Sequence, residues 1–133
     1  MAYLDSSALV KLYLAEPGRE EVEKLLESTE AVTTSVIAYA EARATFARRL
    51  RNGELSDEEH AQVVEDFESD WAGVNELEVT PEIYRLAGDL TVSHPLRGMD
   101  ALHLASALRA KTEVDVHFLS FDRELQRVAD VLI

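Results

Sequence analysis

The stretch Met1-Ala-Tyr-Leu-Asp5-Ser-Ser-Ala-Leu-Val10 starts as a short apolar strand, places an acid at the end of that strand and continues into a helix. The same order returns near the end of the chain, in Val116-His-Phe-Leu-Ser-Phe-Asp122 and the residues that follow. Strands that alternate with helices form parallel sheets covered on both faces, and ligands bind at the carboxyl ends of their strands. We therefore expect Asp5 and Asp122 to lie at one edge of such a sheet.

The residues between these two stretches continue the alternation, without a repeat, a linker or a low-complexity tract. One continuous α/β domain over residues 1–133 is therefore predicted. Strands are expected at residues 2–5, 31–34, 77–79 and 116–120, with a last edge strand at Val131–Ile133. Helices are expected at residues 6–14, 19–27, 35–51, 81–92, 99–111 and 123–129, and one more behind the capping box Ser56-Asp-Glu-Glu59.

Two further acids lie on predicted helices. Glu41 is on or beside the inward face of its helix, where a carboxylate without a partner is costly; the alternative is a salt bridge to Arg48. Asp100 opens the very apolar helix Asp-Ala-Leu-His-Leu-Ala-Ser-Ala-Leu108. Asp5, Asp100 and Asp122 are also good residues for a helix N-terminus, so a capping role is open for each of them.

Polar side chains next to these acids are candidates for a supporting role. His103 lies one turn after Asp100 on the same side of the helix, and we interpret it as a core or supporting histidine rather than a ligand. Ser120 is a candidate for orienting Asp122 or a bound water. Ser7 follows Asp5 closely and, like Ser6, could cap the first helix in its place.

Carboxylates that converge on one edge repel one another, and only protonation, arginine partners or a metal relieve that repulsion. The chain has no Cys, no glycine-rich phosphate loop and no nucleophile motif to compete with them. An all-oxygen site of this kind indicates Mg²⁺ or Mn²⁺, and its usual substrate is a phosphate ester. Whether one ion or two bind stays open.

Composition excludes several classes of protein. The chain has 47% hydrophobic and 29% charged residues, which is typical of a globular domain. Because no long apolar run and no basic leader are present, we expect a cytoplasmic protein without membrane association. The formal net charge of −13 is unusual for a nucleic-acid binder and fits a high-salt cytoplasm or a basic partner equally well. Small positive patches interrupt the acidic body, at Arg43, Arg48, Arg49 and Arg51 and at Arg97, Arg109 and Lys111.

Together these motifs resemble the PIN-domain nucleases. The likeness rests on Asp5-Ser-Ser-Ala-Leu-Val-Lys-Leu-Tyr13, Ser35 with Glu41, Gly98-Met-Asp-Ala-Leu-His-Leu-Ala105 and Leu119-Ser-Phe-Asp122, and is strongest to the VapC-type toxins of toxin–antitoxin pairs. It implies a three-layer α/β/α fold with a central, mostly parallel sheet of four to five strands. It also implies Mg²⁺- or Mn²⁺-dependent RNA cleavage, a homodimer and a cognate antitoxin. The family's acidic quartet matches Asp5, Glu41, Asp100 and Asp122, and its Ser or Thr before the last acid matches Ser120.

Two other protein classes with acidic sites fit these residues less well. A haloacid-dehalogenase-like phosphatase needs a second Asp two residues after the first, where this chain has Ser7, and a response-regulator receiver needs an adjacent acidic pair near the start. An RNA-processing nuclease without an antitoxin, and a domain that binds RNA or a partner without cleaving, remain alternatives to the toxin.

Overall fold

The computed structural model describes residues 1–29 and 31–133. Within these residues, four strands form one sheet in the order β3-β2-β1-β4, with every pair parallel. The strands are β1 (Ala2–Leu4), β2 (Val32–Ser35), β3 (Asn75–Leu77) and β4 (His117–Leu119). The helices are α1 (Ser6–Leu9), which continues as a 3-10 turn (Val10–Leu12), α2 (Arg19–Leu26), α3 (Ile37–Arg51), α4 (Asp57–Trp71), α5 (Pro81–Ser93), α6 (Gly98–Lys111) and α7 (Arg123–Leu132). This confirms the predicted α/β/α architecture.

Helices cover the sheet with two separate hydrophobic cores. One core packs α1 to α4 around Leu4, Phe46 and Phe67, and the other packs α5, α6 and α7 around Leu104 and Leu125. Strand β1 is fully buried between its neighbours, which is why it reads as an apolar run rather than an alternating one.

Local signals in the sequence account for most of the helix starts. The capping box is present, because the Glu59 N–H donates to Ser56 Oγ (3.0 Å) and the Ser56 N–H donates to Glu59 Oε1 (3.0 Å). Thr80 caps α5 through its side chain alone, which accepts from the Ile83 N–H (3.4 Å), and Pro81 lies in the first turn. Ser35 is the exception, since it ends β2 and the helix begins only at Ile37.

The predicted edge strand at Val131–Ile133 is wrong. Helix α7 runs on to Leu132, because Leu125, Val128, Ala129 and Leu132 follow a helical period and pack against the second core. The third strand was predicted two residues too late. Its ladder with β2 pairs Thr33 with Asn75, and the Asn75 side chain donates to Thr33 Oγ1 (3.2 Å), which fixes that register.

The register of β1 and β4 determines where the acids lie. Leu4 pairs with Leu119, and the Asp5 N–H donates to the Leu119 carbonyl (3.2 Å). The segments that follow β1 and β4 therefore leave the sheet side by side, with Asp5 next to Ser120 at the carboxyl edge.

Candidate metal-binding edge of the sheet

Asp5 is held in place by hydrogen bonds from three directions. Its Oδ1 accepts from Ser7 Oγ (2.6 Å) and from the Ala8 N–H (3.0 Å), and its Oδ2 accepts from Ser120 Oγ (2.6 Å). Asp5 is 3% exposed. Burial raises the pKa of the Asp5 carboxyl above its usual range, and hydrogen bonds from Ser120 and Ser7 oppose that rise. Asp5 thus has the capping role that the sequence left open, and the same hydrogen bonds fix both of its carboxylate oxygens.

Ser120 contacts Asp5 as well as Asp122, the acid that it was predicted to orient. Its hydroxyl donates to the Asp5 carboxylate and accepts from the Asp122 N–H (3.0 Å), so it joins the Asp5 side chain to the Asp122 backbone. Ser7 has a matching role, because it also accepts from the Phe121 N–H (2.8 Å). The two serines hold the loop after β4 against the first helix.

Arg97 lies between the other two acids of this edge. Its Nε donates to Asp100 Oδ2 (2.9 Å), and its Nη2 donates to Asp122 Oδ2 (3.0 Å). These two carboxylates, Asp100 first, raise the pKa of the Arg97 guanidinium. Asp122 also caps α7, with Oδ1 accepting from the Leu125 N–H (3.0 Å). Asp100 and Asp122, far apart in sequence, thus face one shared positive charge.

Glu41 is paired with His103 and not with Arg48. His103 Nε2 lies 2.7 Å from Glu41 Oε1, and His103 Nδ1 lies 2.8 Å from the Tyr3 hydroxyl. His103 is buried and Glu41 is partly exposed. His103 thus contacts both Tyr3 and Glu41, and its supporting role in a metal site stays a prediction.

A groove runs from these acids along α5 and α6. It has a volume of about 760 Å³, and Glu41, Arg97 and Asp100 line its polar end. Tyr84, Met99 and Leu102 are among the side chains of its apolar part. Glu41 and Asp100 thus face the same open space, in which a substrate can reach both.

The donor set fits a hard divalent cation. Asp100 and Asp122 already converge on a cation, the Arg97 guanidinium, and Asp5 is a buried carboxylate without an ion pair in the described residues. In the side-chain arrangement of residues 1–29 and 31–133, however, no three His, Asp or Glu residues are grouped tightly enough to enclose one ion. The Arg97 side chain, which is 80% exposed, pairs with both Asp100 and Asp122, so a metal ion held by these two acids would compete with it.

Two residues of this region were not singled out by the sequence. Tyr3 is the only polar side chain in Ala2–Leu4, two residues before Asp5 on the same face of the strand, and that alternation was the available signal. Arg97 was read only as part of a positive patch, although it lies three residues before Asp100. Of the other patch residues, Arg43 pairs with Glu68, and Arg49 pairs with Glu16 and Glu54, so both are engaged within the chain.

The family model for the PIN domain matches residues 2–131. The chain belongs to the PIN domain family. This match confirms the resemblance seen in the sequence and extends over both cores and all four candidate acids.

Relatives of this PIN domain are named ribonucleases and toxins. Ribonuclease VapC45 of Mycobacterium tuberculosis is 41% identical over 108 residues, which are 81% of this chain and 75% of the relative. The structure of VapC20 from the same species, described as a Sarcin-Ricin loop cleaving toxin, aligns with a TM-score of 0.66 at 20% identity, over 96% of this chain and 95% of that one. A toxin–antitoxin complex from Klebsiella pneumoniae aligns with a TM-score of 0.67 at 16% identity, over 93% and 89% of the two chains.

Among the described residues, no helix has both the length and the apolar character needed to cross a bilayer.

Proposed function

We propose that this PIN domain is a Mg²⁺- or Mn²⁺-dependent endoribonuclease and the toxin of a toxin–antitoxin pair. The observation that carries the proposal is the convergence of Asp100 and Asp122 on one cation, together with the buried Asp5 carboxylate, which Ser120 links to the Asp122 backbone. Membership of the PIN family and 41% identity to a named VapC ribonuclease support RNA as the substrate class.

Asp5 and Asp100 are the residues that we assign as direct metal ligands. Glu41 and Asp122 complete the site directly or through water, since Mg²⁺ usually keeps several waters and takes one or two carboxylates. A divalent ion bound there supplies an activated water and neutralises the charge that develops on the phosphodiester.

The side chains of the protein hold the Asp5 carboxylate rigid and leave the site open to RNA. Ser7, Ser120 and the Ala8 N–H fix both oxygens of Asp5, so that carboxylate needs no reorganisation during the reaction. Glu41 lines the open groove, and we assign it the role of orienting the attacking water against the substrate. Arg97, once released from Asp100 and Asp122, offers an exposed guanidinium to a phosphate oxygen of the RNA.

The antitoxin and the homodimer belong to the same proposal. Solved relatives of this fold include a toxin–antitoxin complex, and a basic antitoxin segment suits an acidic body with a net charge of −13. We place the protein in the cytoplasm, where both RNA and an antitoxin are available.

The deciding experiment is cleavage of a mixed RNA pool with Mg²⁺, with Mn²⁺ or with EDTA, at low and high salt. Asp5→Asn and Asp100→Asn are expected to lose roughly 10²–10³-fold in rate, because each removes a ligand that stabilises transition-state charge. Asp89→Asn, an exposed acid on α5, is the matched control and should cleave like the parent. If the parent cleaves nothing with either metal, the binding-only alternative replaces the nuclease.

The toxin role needs its own test. Expression of the chain should arrest bacterial growth, and co-expression of the open reading frame directly upstream of its gene should restore it. Cleavage in vitro without any growth arrest would favour the RNA-processing nuclease.

A further inference from the structure

A buried chain of hydrogen bonds leads from the central strand to the partly exposed Glu41. The Tyr3 hydroxyl lies 2.8 Å from His103 Nδ1, and His103 Nε2 lies 2.7 Å from Glu41 Oε1. Tyr3 is 0% exposed and His103 is 1% exposed. Because a buried polar group without a partner costs free energy, these three side chains depend on one another.

The donors and acceptors along this chain define the histidine tautomer. The Tyr3 hydroxyl is fully buried, and His103 Nδ1, 2.8 Å away, is an acceptor to which its O–H can donate. In the neutral ring, donation from Tyr3 to Nδ1 leaves the ring proton on Nε2, which then donates to the Glu41 carboxylate. The other neutral tautomer would turn the Nε2 lone pair towards a carboxylate oxygen.

The same chain connects the three elements that carry three of the four acids. Tyr3 is on β1, which ends at Asp5, and shares its strand face with that acid. His103 is on α6, one turn after Asp100. Glu41 is on α3. A change in any one of these contacts therefore alters the spacing of acids that are distant in sequence.

We propose that Tyr3 and His103 are positioning residues: Tyr3 fixes the His103 ring, and His103 turns the Glu41 carboxylate towards the groove that holds Asp100. This proposal rests on the proposed function, in which Glu41 belongs to the metal site. Neither residue touches the substrate. Both act through Glu41, as hydrogen-bond partners behind a metal ligand do, where their loss typically lowers metal affinity roughly 10- to 100-fold.

Tyr3→Phe removes one hydroxyl and leaves the ring. The ring stacks on Phe118 (centroids 5.3 Å) and meets His103 edge-on (5.8 Å), and both contacts remain available to phenylalanine. Tyr13→Phe is the matched control, because its hydroxyl donates to Asp70 (2.8 Å) on the other side of the sheet and its ring packs edge-on against Phe46 and Phe67. His103→Leu removes the donor to Glu41, whereas His103→Gln keeps an amide N–H in its place.

Two measurements test the proposal. The first is the ¹⁵N spectrum of the histidine rings in the metal-free protein, with His103 assigned from its missing signals in His103→Gln. The second is Mn²⁺ binding by calorimetry for the parent and the four variants, with the thermal midpoint recorded for each.

We expect the parent spectrum to show the proton on His103 Nε2 and a hydrogen-bonded Nδ1, whose resonance shifts in Tyr3→Phe. Mn²⁺ affinity should fall roughly tenfold or more in Tyr3→Phe and in His103→Leu. It should be partly restored in His103→Gln and unchanged in Tyr13→Phe.

The proposal is overturned if the parent carries the ring proton on Nδ1, or if Tyr3→Phe and His103→Leu lower only the thermal midpoint and bind Mn²⁺ like the parent. A parent that binds no Mn²⁺ refutes the proposed metal site instead. In that case the ring spectrum still decides the positioning chain, and an Nδ1 resonance unchanged by Tyr3→Phe rejects it.

Discussion

Replacing Asp5 with Asn should stabilise the metal-free protein while removing one of the metal ligands that we propose. Burial raises the pKa of Asp5 above the ordinary value of 3.8, with hydrogen bonds from Ser120 and Ser7 opposing the rise. A carboxyl whose pKa is higher in the folded state favours folding only while it is protonated. Its contribution is complete below pH 3.8 and is lost as pH rises through the folded pKa, so at neutral pH the ionised Asp5 weakens the fold.

The magnitude follows from what the substitution keeps and what it removes. The amide oxygen can accept from Ser7 and the Ala8 N–H as Oδ1 does, and the amide nitrogen can donate to Ser120 Oγ, which Oδ2 now contacts at 2.6 Å. The main change is the removal of a buried charge that has no ion pair in the described residues. We expect a gain of about 1–2 kcal/mol in the free energy of unfolding at neutral pH. For 133 residues, an unfolding entropy of about 0.28 kcal/mol/K converts this to about 4–7 °C in thermal midpoint.

The assay is thermal unfolding of the parent and Asp5→Asn in EDTA, from neutral pH down towards pH 4, and again at neutral pH with Mn²⁺. The difference should shrink as the pH falls, because the parent carboxyl becomes protonated. With Mn²⁺ the order should reverse, since about 100-fold excess over the dissociation constant stabilises only a protein that binds it, by about 2.7 kcal/mol.

Asp89→Asn is the control, because it removes one negative charge at an exposed position of a protein with a net charge of −13. It therefore measures how much stability is gained simply by lowering charge repulsion. If Asp5→Asn in EDTA gains no more than this control, or loses stability, burial of an uncompensated charge at Asp5 is the wrong explanation.

Three further changes, one of them with a matched comparison, have expected outcomes. Arg97→Gln removes the cation between Asp100 and Asp122, so calorimetry should show Mn²⁺ binding about three- to tenfold more tightly; unchanged affinity would mean that Arg97 does not compete with the metal. Gly18→Ala should lower the free energy of unfolding by about 1–3 kcal/mol in urea, because Gly18 has a φ of 108° and a Cβ there would lie 2.6 Å from the Phe121 ring. Gly53→Ala, with a φ of 73° and open space around it, should cost less, and equal losses would exclude the Phe121 contact as the cause. Ser56→Ala should cost about 1 kcal/mol in the same assay, through loss of the capping box of α4, and no loss would contradict that role.

Local chemistry made much of the fold predictable. The capping box at Ser56 and the Thr80-Pro81 start act within a few residues, and the structure contains both. The bounds of the strands were predicted less accurately, because they depend on pairing with neighbouring strands of the sheet. Leu77–Val79 is the more apolar segment, but pairing with β2 selects Asn75–Leu77. The predicted edge strand at the end of the chain was wrong for a similar reason. Val131 and Leu132 have the apolar character of a strand, but packing against the second core favours a helix there.

The sequence by itself predicted the four candidate acids and their order, because Asp5, Asp100 and Asp122 stand next to a recognisable strand end or helix start and Glu41 lies on or beside an inward helix face. The roles of these acids and of Ser7, Ser120 and His103 in a metal site stay predictions. Only the tertiary structure decided how they are joined. Glu41 pairs with His103 across 62 residues, Ser120 binds Asp5 across 115, and Arg97 binds Asp122 across 25. Such contacts follow from sheet register and helix packing, which place side chains by distance in space. Neighbours along the chain carry no information about that distance.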